Sequence, residues 1–317
     1  MDFRIIDRLR ADRSAERAEV VAGLRANPAI VAPKYFYDPL GCALYGAICR
    51  LPEYYPTRTE VALFDQKRLE IAKVVGVGRQ LVDLGAGDCC KARGWLPFLE
   101  PSRYIAVDIA AAEIAGALQR LAPDFPGIEM AGVVADFNQG LDLGDALTDA
   151  PVSFFYPGSS IGNFPPPEAV RLLASIRRHC VARPGSSLLI GVDGKKDPGT
   201  LVAAYDDALG VTAAFNRNVL RHLNTRFGFD FSTEGFSHFA CYDEGLGRIE
   251  MHLESRREQA VMLDGVPRRF AKGERIHTEN SYKYAPTEFE ALLAEAGFRD
   301  LRRWDAPDFP YHVFCAA

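Results

Sequence analysis

From about residue 80 the chain alternates short apolar, β-branched runs with segments of helix length. Helix and strand periods interleaved in this way specify a mainly parallel sheet with helices covering it. Residues 80–84, 103–107, 133–135, 152–156 and 187–192 read as five successive strands, and residues 110–121 and 167–180 as amphipathic helices between them. A further helix is expected over 286–296, with Pro286 in its first turn and Gly297 just past its end. Two strand-like runs, 299–304 and 311–316, follow around a Pro/Asp turn at 306–310, so a terminal hairpin would place an antiparallel strand in the otherwise parallel sheet. Residues 1 to about 78 and about 197–284 fall outside the alternation. The expected division is an N-terminal segment and core over 1–196, an inserted α+β substrate domain over 197–284, and a return to the core sheet over 285–317.

Composition narrows the class. The 317 residues carry 37 basic and 42 acidic side chains, a formal net charge of -5, and are 48% hydrophobic and 25% charged, which excludes disordered, collagenous and coiled-coil chains. There is no run of 18 apolar residues, and the N-terminus is charged at helical spacing rather than built as a signal peptide, so a cytoplasmic, membrane-free monomer is expected. A pI of about 5.8 argues against a nucleic-acid partner. Seven cysteines form an odd set without a C-x-x-C pair, as expected of reduced thiols, and the six histidines show no metal-ligand spacing, so no metal is expected.

Open α/β sheets bind ligands outside the carboxyl ends of their strands. Here the first strand runs into Asp83-Leu84-Gly85-Ala86-Gly87-Asp88, where glycines let a ligand approach the backbone. Position 90 is Cys, so the third glycine of the dinucleotide fingerprint is missing and a nicotinamide dehydrogenase becomes a minor reading. Asp108 ends the second strand and Asp136 the third. An acid at the former position can accept both ribose hydroxyls of a nucleoside, and an Asp-aromatic pair at the latter can bond and cover an adenine. The competing reading of either carboxylate is a helix cap.

The glycine turn, the two strand-end acids and the terminal hairpin together resemble the Rossmann-like class I S-adenosylmethionine-dependent methyltransferases. That resemblance implies Gly85, Gly87 and Lys91 at the cofactor's amino-acid end, Asp108 on its ribose, and Asp136 with Phe137 at its adenine. Further stretches are more particular: Tyr35-Phe36-Tyr37-Asp38 with Gly41, residues 51–60 (LPEYYPTRTE), Gly158 to Phe164 (GSSIGNF), Ala204 to Ala208 (AYDDA), Ile249-Glu250-Met251, and Thr278-Glu279-Asn280-Ser281. With these the chain resembles the histidine-specific Nα-methyltransferases of ergothioneine biosynthesis over nearly its whole length, which implies trimethylation of L-histidine to hercynine.

That chemistry needs a neutral amine lone pair in line with a sulfonium methyl, and room for added methyl groups. By resemblance Tyr37 lies near the amine and Tyr54 in the substrate pocket, where ring faces suit a product that becomes a quaternary ammonium. Asn163 and Tyr205 would supply amide and phenol hydrogens to the α-carboxylate. Gly158 belongs to the substrate set, Met251 would line the ring pocket, and Glu279 with Ser281, two apart on a strand, would point to one face and recognise the imidazole. Cys89-Cys90 and Tyr156-Pro157 depart from the family pattern near the cofactor. The competing readings are an Nα-methyltransferase of tryptophan or tyrosine, in which Glu279 would have only one indole N-H to accept, and a non-catalytic metabolite-binding protein.

Overall fold

The computed structural model describes residues 3–9, 12–136 and 140–317. In chain order its strands are β1 (Arg4–Asp7), β2 (Ala29–Ile30), β3 (Gln80–Leu84), β4 (Arg103–Asp108), β5 (Glu129–Val134), β6 (Val152–Tyr156), β7 (Ser187–Asp193), β8 (Phe236–Asp243), β9 (Arg248–Ser255), β10 (Gln259–Leu263), β11 (Val266–Phe270), β12 (Arg275–Tyr282), β13 (Leu301–Asp305) and β14 (Tyr311–Ala316). They belong to two compact units. The first comprises Met1–Leu9, Pro56–Lys196 and Tyr282–Ala317, and the second Arg10–Tyr55 and Asp197–Ser281.

The first unit holds an eight-stranded sheet in the order β1-β5-β4-β3-β6-β7-β14-β13. From β3 the chain winds outward through β4 to β5, then begins again on the other side of β3 with β6 and β7, all parallel. The strand order therefore reverses at β3 and β6, and the crevice outside their carboxyl ends is the place such sheets offer a ligand. β14 runs antiparallel between β7 and β13, as the terminal Pro/Asp turn predicts.

β3, β6 and β7 are buried along their whole length, which is why they read as mainly apolar runs; their polar members Gln80, Asp83, Ser153, Ser187 and Asp193 are buried too. One face packs Val82, Leu84, Ile105, Val107 and Phe154 against Leu173 and Ile176 of helix Pro166–Ala182 and Phe289 of helix Pro286–Glu295. The other packs Leu81, Tyr104, Phe155 and Leu189 against Leu63 and Ile71 of helix Tyr55–Val75 and Leu118 of helix Ala111–Leu121.

Two elements of this sheet differ from expectation. The charged N-terminus is a strand, β1, parallel to β5 at the sheet edge, and Arg4 is tied to Asp145 by an ion pair. An exposed edge strand bears charges without penalty, so its pattern carries no clear strand period. β5 begins at Glu129 rather than 133 because small residues hide it: a Cβ at Gly132 would stand 2.6 Å from Ile5 and 2.7 Å from Ile114, so the edge strand and the helix close in where a side chain would be.

The second unit contains the four-stranded sheet β2-β12-β9-β8 and the β10-β11 hairpin. β9 alternates half-buried and buried residues, and its buried set of Ile249, Met251 and Leu253 lies on the side of helix Val211–Phe227, which buries Phe215, Val219 and Leu223. Arg10–Tyr55, expected with the core sheet, packs in this unit. Phe36 stacks on Phe215 with ring centroids 4.5 Å apart, and Tyr35 meets Phe227 edge-on at 5.8 Å. The return to the first unit comes at Tyr282 rather than 285. Among the described residues no helix is long and apolar enough to cross a membrane.

Candidate functional site

In the first unit the turn after β3 has the geometry of a cradle. Gly85 and Gly87 take positive φ of 70° and 50°, and a Cβ built on either meets nothing within 4 Å. The turn therefore keeps a left-handed backbone and an open face, which fits the approach of an extended ligand. Asp108 fixes its shape: Oδ2 accepts from Gly87 N at 2.9 Å and Oδ1 from Ala110 N at 3.0 Å. The carboxylate thus does cap the following loop, and because each oxygen has a second lone pair it retains acceptors for two hydroxyls. Asp136 is buried directly after β5. Phe137 lies outside the described residues.

Lys91 and Gly158 share one partner that the sequence reading did not single out. The Lys91 ammonium donates to Glu60 Oε2 at 2.6 Å, and Gly158 N donates to Glu60 Oε1 at 2.7 Å. Gly158 has φ of 81°, and a Cβ there would stand 2.9 Å from Lys91 Nζ. The turn of Ser160–Asn163 follows, and Gly162 is needed because a Cβ would meet the Tyr282 carbonyl oxygen at 2.7 Å. Asn163 is half-buried at the end of this turn.

Of the two departures near the turn, Cys89, Tyr156 and Pro157 are buried and Cys90 is exposed. Cys89, in the left-handed region at φ of 61°, packs with Ala92 and Trp95, and burial pushes its thiol up to about 12. Burial and Asp88 raise the Cys90 thiol as well, so neither is a nucleophile at neutral pH. Tyr156 is enclosed in the core under the opposite face.

Asp83, at the end of β3, is 1% exposed; Oδ2 accepts from the Tyr104 hydroxyl at 2.8 Å, while Oδ1 is buried without a partner among the described residues. Burial pushes this carboxyl up from 3.8 to about 7 against the Tyr104 bond, with Asp108 adding to the rise. Between those two values the folded chain keeps a proton that the unfolded chain has released. Asp83 therefore contributes most to stability at acid pH, and the contribution is lost as pH rises to about 7 and is level above it. Asp83→Asn is expected to gain stability relative to wild type on going from pH 4.5 to pH 8, by a few kcal/mol. Thermal unfolding at the two pH values measures this, and an Asn variant with the same stability offset at both would refute it.

In the second unit the expected substrate residues form a connected set of phenols and hydroxyls. Asp38 caps helix Pro39–Ile48, accepting from Gly41 N and from the Asn218 side-chain amide at 2.7 Å each, which holds the Tyr35-Phe36-Tyr37 segment in place. Gly41 is required here because a Cβ would overlap the Phe36 carbonyl oxygen at 1.7 Å. Tyr37 meets Tyr45 and Phe215 edge-on, with centroids 6.3 Å away in each case. The Tyr45 and Tyr54 hydroxyls are hydrogen-bonded, Tyr54 meets the Tyr205 ring edge-on at 6.0 Å, and the Tyr205 hydroxyl bonds Ser281 Oγ at 2.8 Å. Burial raises the Tyr45 and Tyr54 hydroxyls well above 10, so both are neutral at physiological pH. Tyr45 belongs to this set and went unnoticed in the sequence, where it is one aromatic in an apolar helix.

Glu279 and Ser281 occupy β12 at positions of one face and are 8% and 3% exposed. Glu279 is a buried carboxylate rather than a surface one. Met251 is 1% exposed on the buried side of β9, and its carbonyl oxygen accepts from Thr278 Oγ1 at 3.0 Å. Tyr205 is further held by His238: Nε2 donates to the Tyr205 carbonyl oxygen at 2.8 Å, and Nδ1 accepts from the Asn216 amide at 2.9 Å. Tyr37, Tyr54, Tyr205, Met251, Glu279 and Ser281 all belong to the second unit, and Asn163 and the cofactor set to the first.

Although the sequence shows no metal-ligand spacing, the fold brings donor atoms of Cys241, Glu250 and His252 within 4.8 Å of one another. The Glu250 carboxylate is engaged there by Arg248 Nε at 2.8 Å and His252 Nε2 at 2.9 Å.

Residues 16–317 match the family model described as "Histidine-specific methyltransferase, SAM-dependent". The chain is 40% identical to the histidine N-alpha-methyltransferase of Mycolicibacterium smegmatis, covering 97% of each chain, and 36% identical to that of Mycobacterium tuberculosis, covering 94% of each. It is 29% identical to ergothioneine biosynthesis protein 1 of Neurospora crassa over 84% of this chain and 31% of that protein.

Proposed function

Because this chain belongs to the histidine-specific, S-adenosylmethionine-dependent methyltransferase family, we propose that it trimethylates the α-amine of L-histidine to hercynine, a step of ergothioneine biosynthesis. The observation that carries this reading is the buried carboxylate of Glu279 on the same strand face as Ser281, whose hydroxyl is bonded to Tyr205. An imidazole presents one N-H donor and one acceptor, and a carboxylate beside a hydroxyl complements both. An indole has a single N-H and would leave such a pair unmatched, at the cost of burying polar groups without partners.

S-adenosylmethionine supplies an electrophilic methyl on a sulfonium. The chain's part is to hold the amine uncharged, in line with that methyl, and to exclude water. Asp108 and Asp136 hold the nucleoside, with Gly85 and Gly87 leaving room for the methionine end and Lys91 supplying a positive charge to its carboxylate. Asn163 donates to the amino acid's carboxylate, and Tyr205 does so once its single hydroxyl hydrogen has turned from Ser281 Oγ to the substrate, leaving the Ser281 hydrogen for the ring nitrogen. Tyr37 and Tyr54 face the amine. Neutral phenols neither repel nor strongly trap it, and their rings favour the positive charge that each transfer places on the nitrogen as S-adenosylhomocysteine leaves; that charge is shed as a proton to water before the next transfer and becomes permanent with the third.

The test is isotope-labelled methyl transfer with the purified chain, S-adenosylmethionine and each standard amino acid, read by mass. The expected result is a gain of three methyl groups on histidine alone. Transfer to tryptophan or tyrosine in preference to histidine would overturn the substrate assignment, and transfer to none of them would overturn the reaction.

A further inference from the structure

We propose that Glu60 is a positioning residue of the cofactor site, which orients the Lys91 ammonium and the Gly158 turn through one buried carboxylate. Glu60 ends the stretch LPEYYPTRTE, whose tyrosines alone entered the sequence reading. It sits in the second turn of helix Tyr55–Val75 and is 0% exposed. A carboxylate removed from water costs several kcal/mol unless it is paired and fully hydrogen-bonded.

This one is paired and bonded. Oε2 accepts from Lys91 Nζ at 2.6 Å, while Oε1 accepts from Gly158 N at 2.7 Å and from the Tyr311 hydroxyl at 2.6 Å. The donors come from three separate places: the short helix Cys90–Arg93 that follows the glycine turn, the turn after β6, and the terminal strand β14. The chain also gives up a side chain to admit the group. A Cβ on Gly191 of β7 would stand 2.0 Å from Glu60 Oε1 and 2.7 Å from the Tyr311 hydroxyl. A core strand that tolerates glycine loses packing and backbone entropy there, so the space has a use.

The arrangement is directional. The Glu60 side chain is enclosed, whereas the Lys91 side chain is 28% exposed. One ammonium hydrogen is turned inward to Glu60, and two remain for an anionic group above the glycine turn. Removing the negative charge, as in Glu60→Gln, leaves a half-buried ammonium without its counter-ion and a single amide oxygen in place of the two carboxylate oxygens that Lys91, Gly158 and Tyr311 share. Lys91 and the Gly158 turn then shift away from the positions that Glu60 imposes.

This inference rests on the assignment of Lys91 to the cofactor, and its test does not require histidine to be the acceptor. In the full chain, the affinities of wild type, Glu60→Gln, Lys91→Met and the double variant for S-adenosylhomocysteine are measured by calorimetry, with the affinity of cofactor-saturated protein for histidine as the second readout. Glu60→Gln is expected to weaken cofactor-product binding at least tenfold and histidine binding, which the shared Gly158 turn also touches, by a clearly smaller factor. With Glu60→Gln already present, Lys91→Met is expected to cost little more, because the two act as one unit. Tyr311→Phe, which removes a single donor and keeps the ion pair, is expected to weaken cofactor binding about threefold. It decides the matter by the same criteria if Glu60→Gln does not fold. Wild-type cofactor affinity in the folded variants, equal losses for both ligands, or additive losses in the double variant would each overturn the proposal. Absence of histidine methylation by wild type with these affinities intact would instead overturn the function proposed above.

Discussion

Glu279→Ala is expected to lower kcat/KM for L-histidine by about a hundredfold or more while leaving the affinity for S-adenosylhomocysteine within about threefold of wild type. The magnitude follows from the burial of the group. Glu279 is 8% exposed on β12, and a hydrogen bond between an ionised side chain and a ligand donor in such a setting is worth about 1.5–3 kcal/mol, with each 1.4 kcal/mol a factor of ten. Truncation also leaves the imidazole N-H unsatisfied in a space from which water is largely excluded, which pushes the loss to the upper end. Glu279→Gln keeps an acceptor without the charge and should fall between the two. The measurement is steady-state methylation of histidine beside calorimetric titration with the cofactor product. Histidine turnover within threefold of wild type in Glu279→Ala would place ring recognition elsewhere, and a matching loss of cofactor affinity would make the effect one of folding.

The second large effect is expected at Asp108. Asp108→Ala should weaken S-adenosylhomocysteine binding by about a hundredfold, through loss of the two charge-assisted bonds proposed to the ribose hydroxyls and of the oxygens that accept from the Gly87 and Ala110 backbone N-H groups. Histidine affinity at saturating cofactor should change little. Asp108→Asn retains one oxygen acceptor; it is expected to keep part of the turn's geometry and to show a smaller loss. Asn163→Ala is the mirror case, with the loss falling on the amino acid. If Asp108→Ala and Asn163→Ala weakened both ligands equally, the assignment of nucleoside and amino acid to separate residue sets would fail.

Much of the first unit was legible because its strands are buried on both faces. Burial on both sides favours apolar residues at most positions, so β3, β6 and β7 stand out from the helices between them, and the residues at their carboxyl ends are marked by position alone. Gly85, Gly87 and Asp108 were readable in that way. β1 was not, because an edge strand with charged side chains has no such pattern, nor was the start of β5, where small residues make room for neighbours. The second unit was legible mainly as a set of short motifs. Its reason for including Arg10–Tyr55 is the packing of Phe36 on Phe215 and of Tyr35 on Phe227, contacts between residues some 180 positions apart that leave no local trace.

The sequence alone determined the alternation that makes the parallel sheet, the glycine turn and acidic residues at the carboxyl ends of its strands, and the motifs that place the chain in its family. These are local signals, set by the period of side chains along a strand or helix and by the backbone freedom of glycine. Only the tertiary structure decided that Tyr45 joins Tyr37 and Tyr54, that Glu279 is enclosed, that Asp83 holds its proton up to about 7, and that Glu60 ties Lys91 to Gly158 and Tyr311. Each of those facts depends on which distant group removes water from a side chain or supplies its hydrogen bond. The free energy of a carboxylate or phenol is set by that enclosure rather than by its neighbours in the chain.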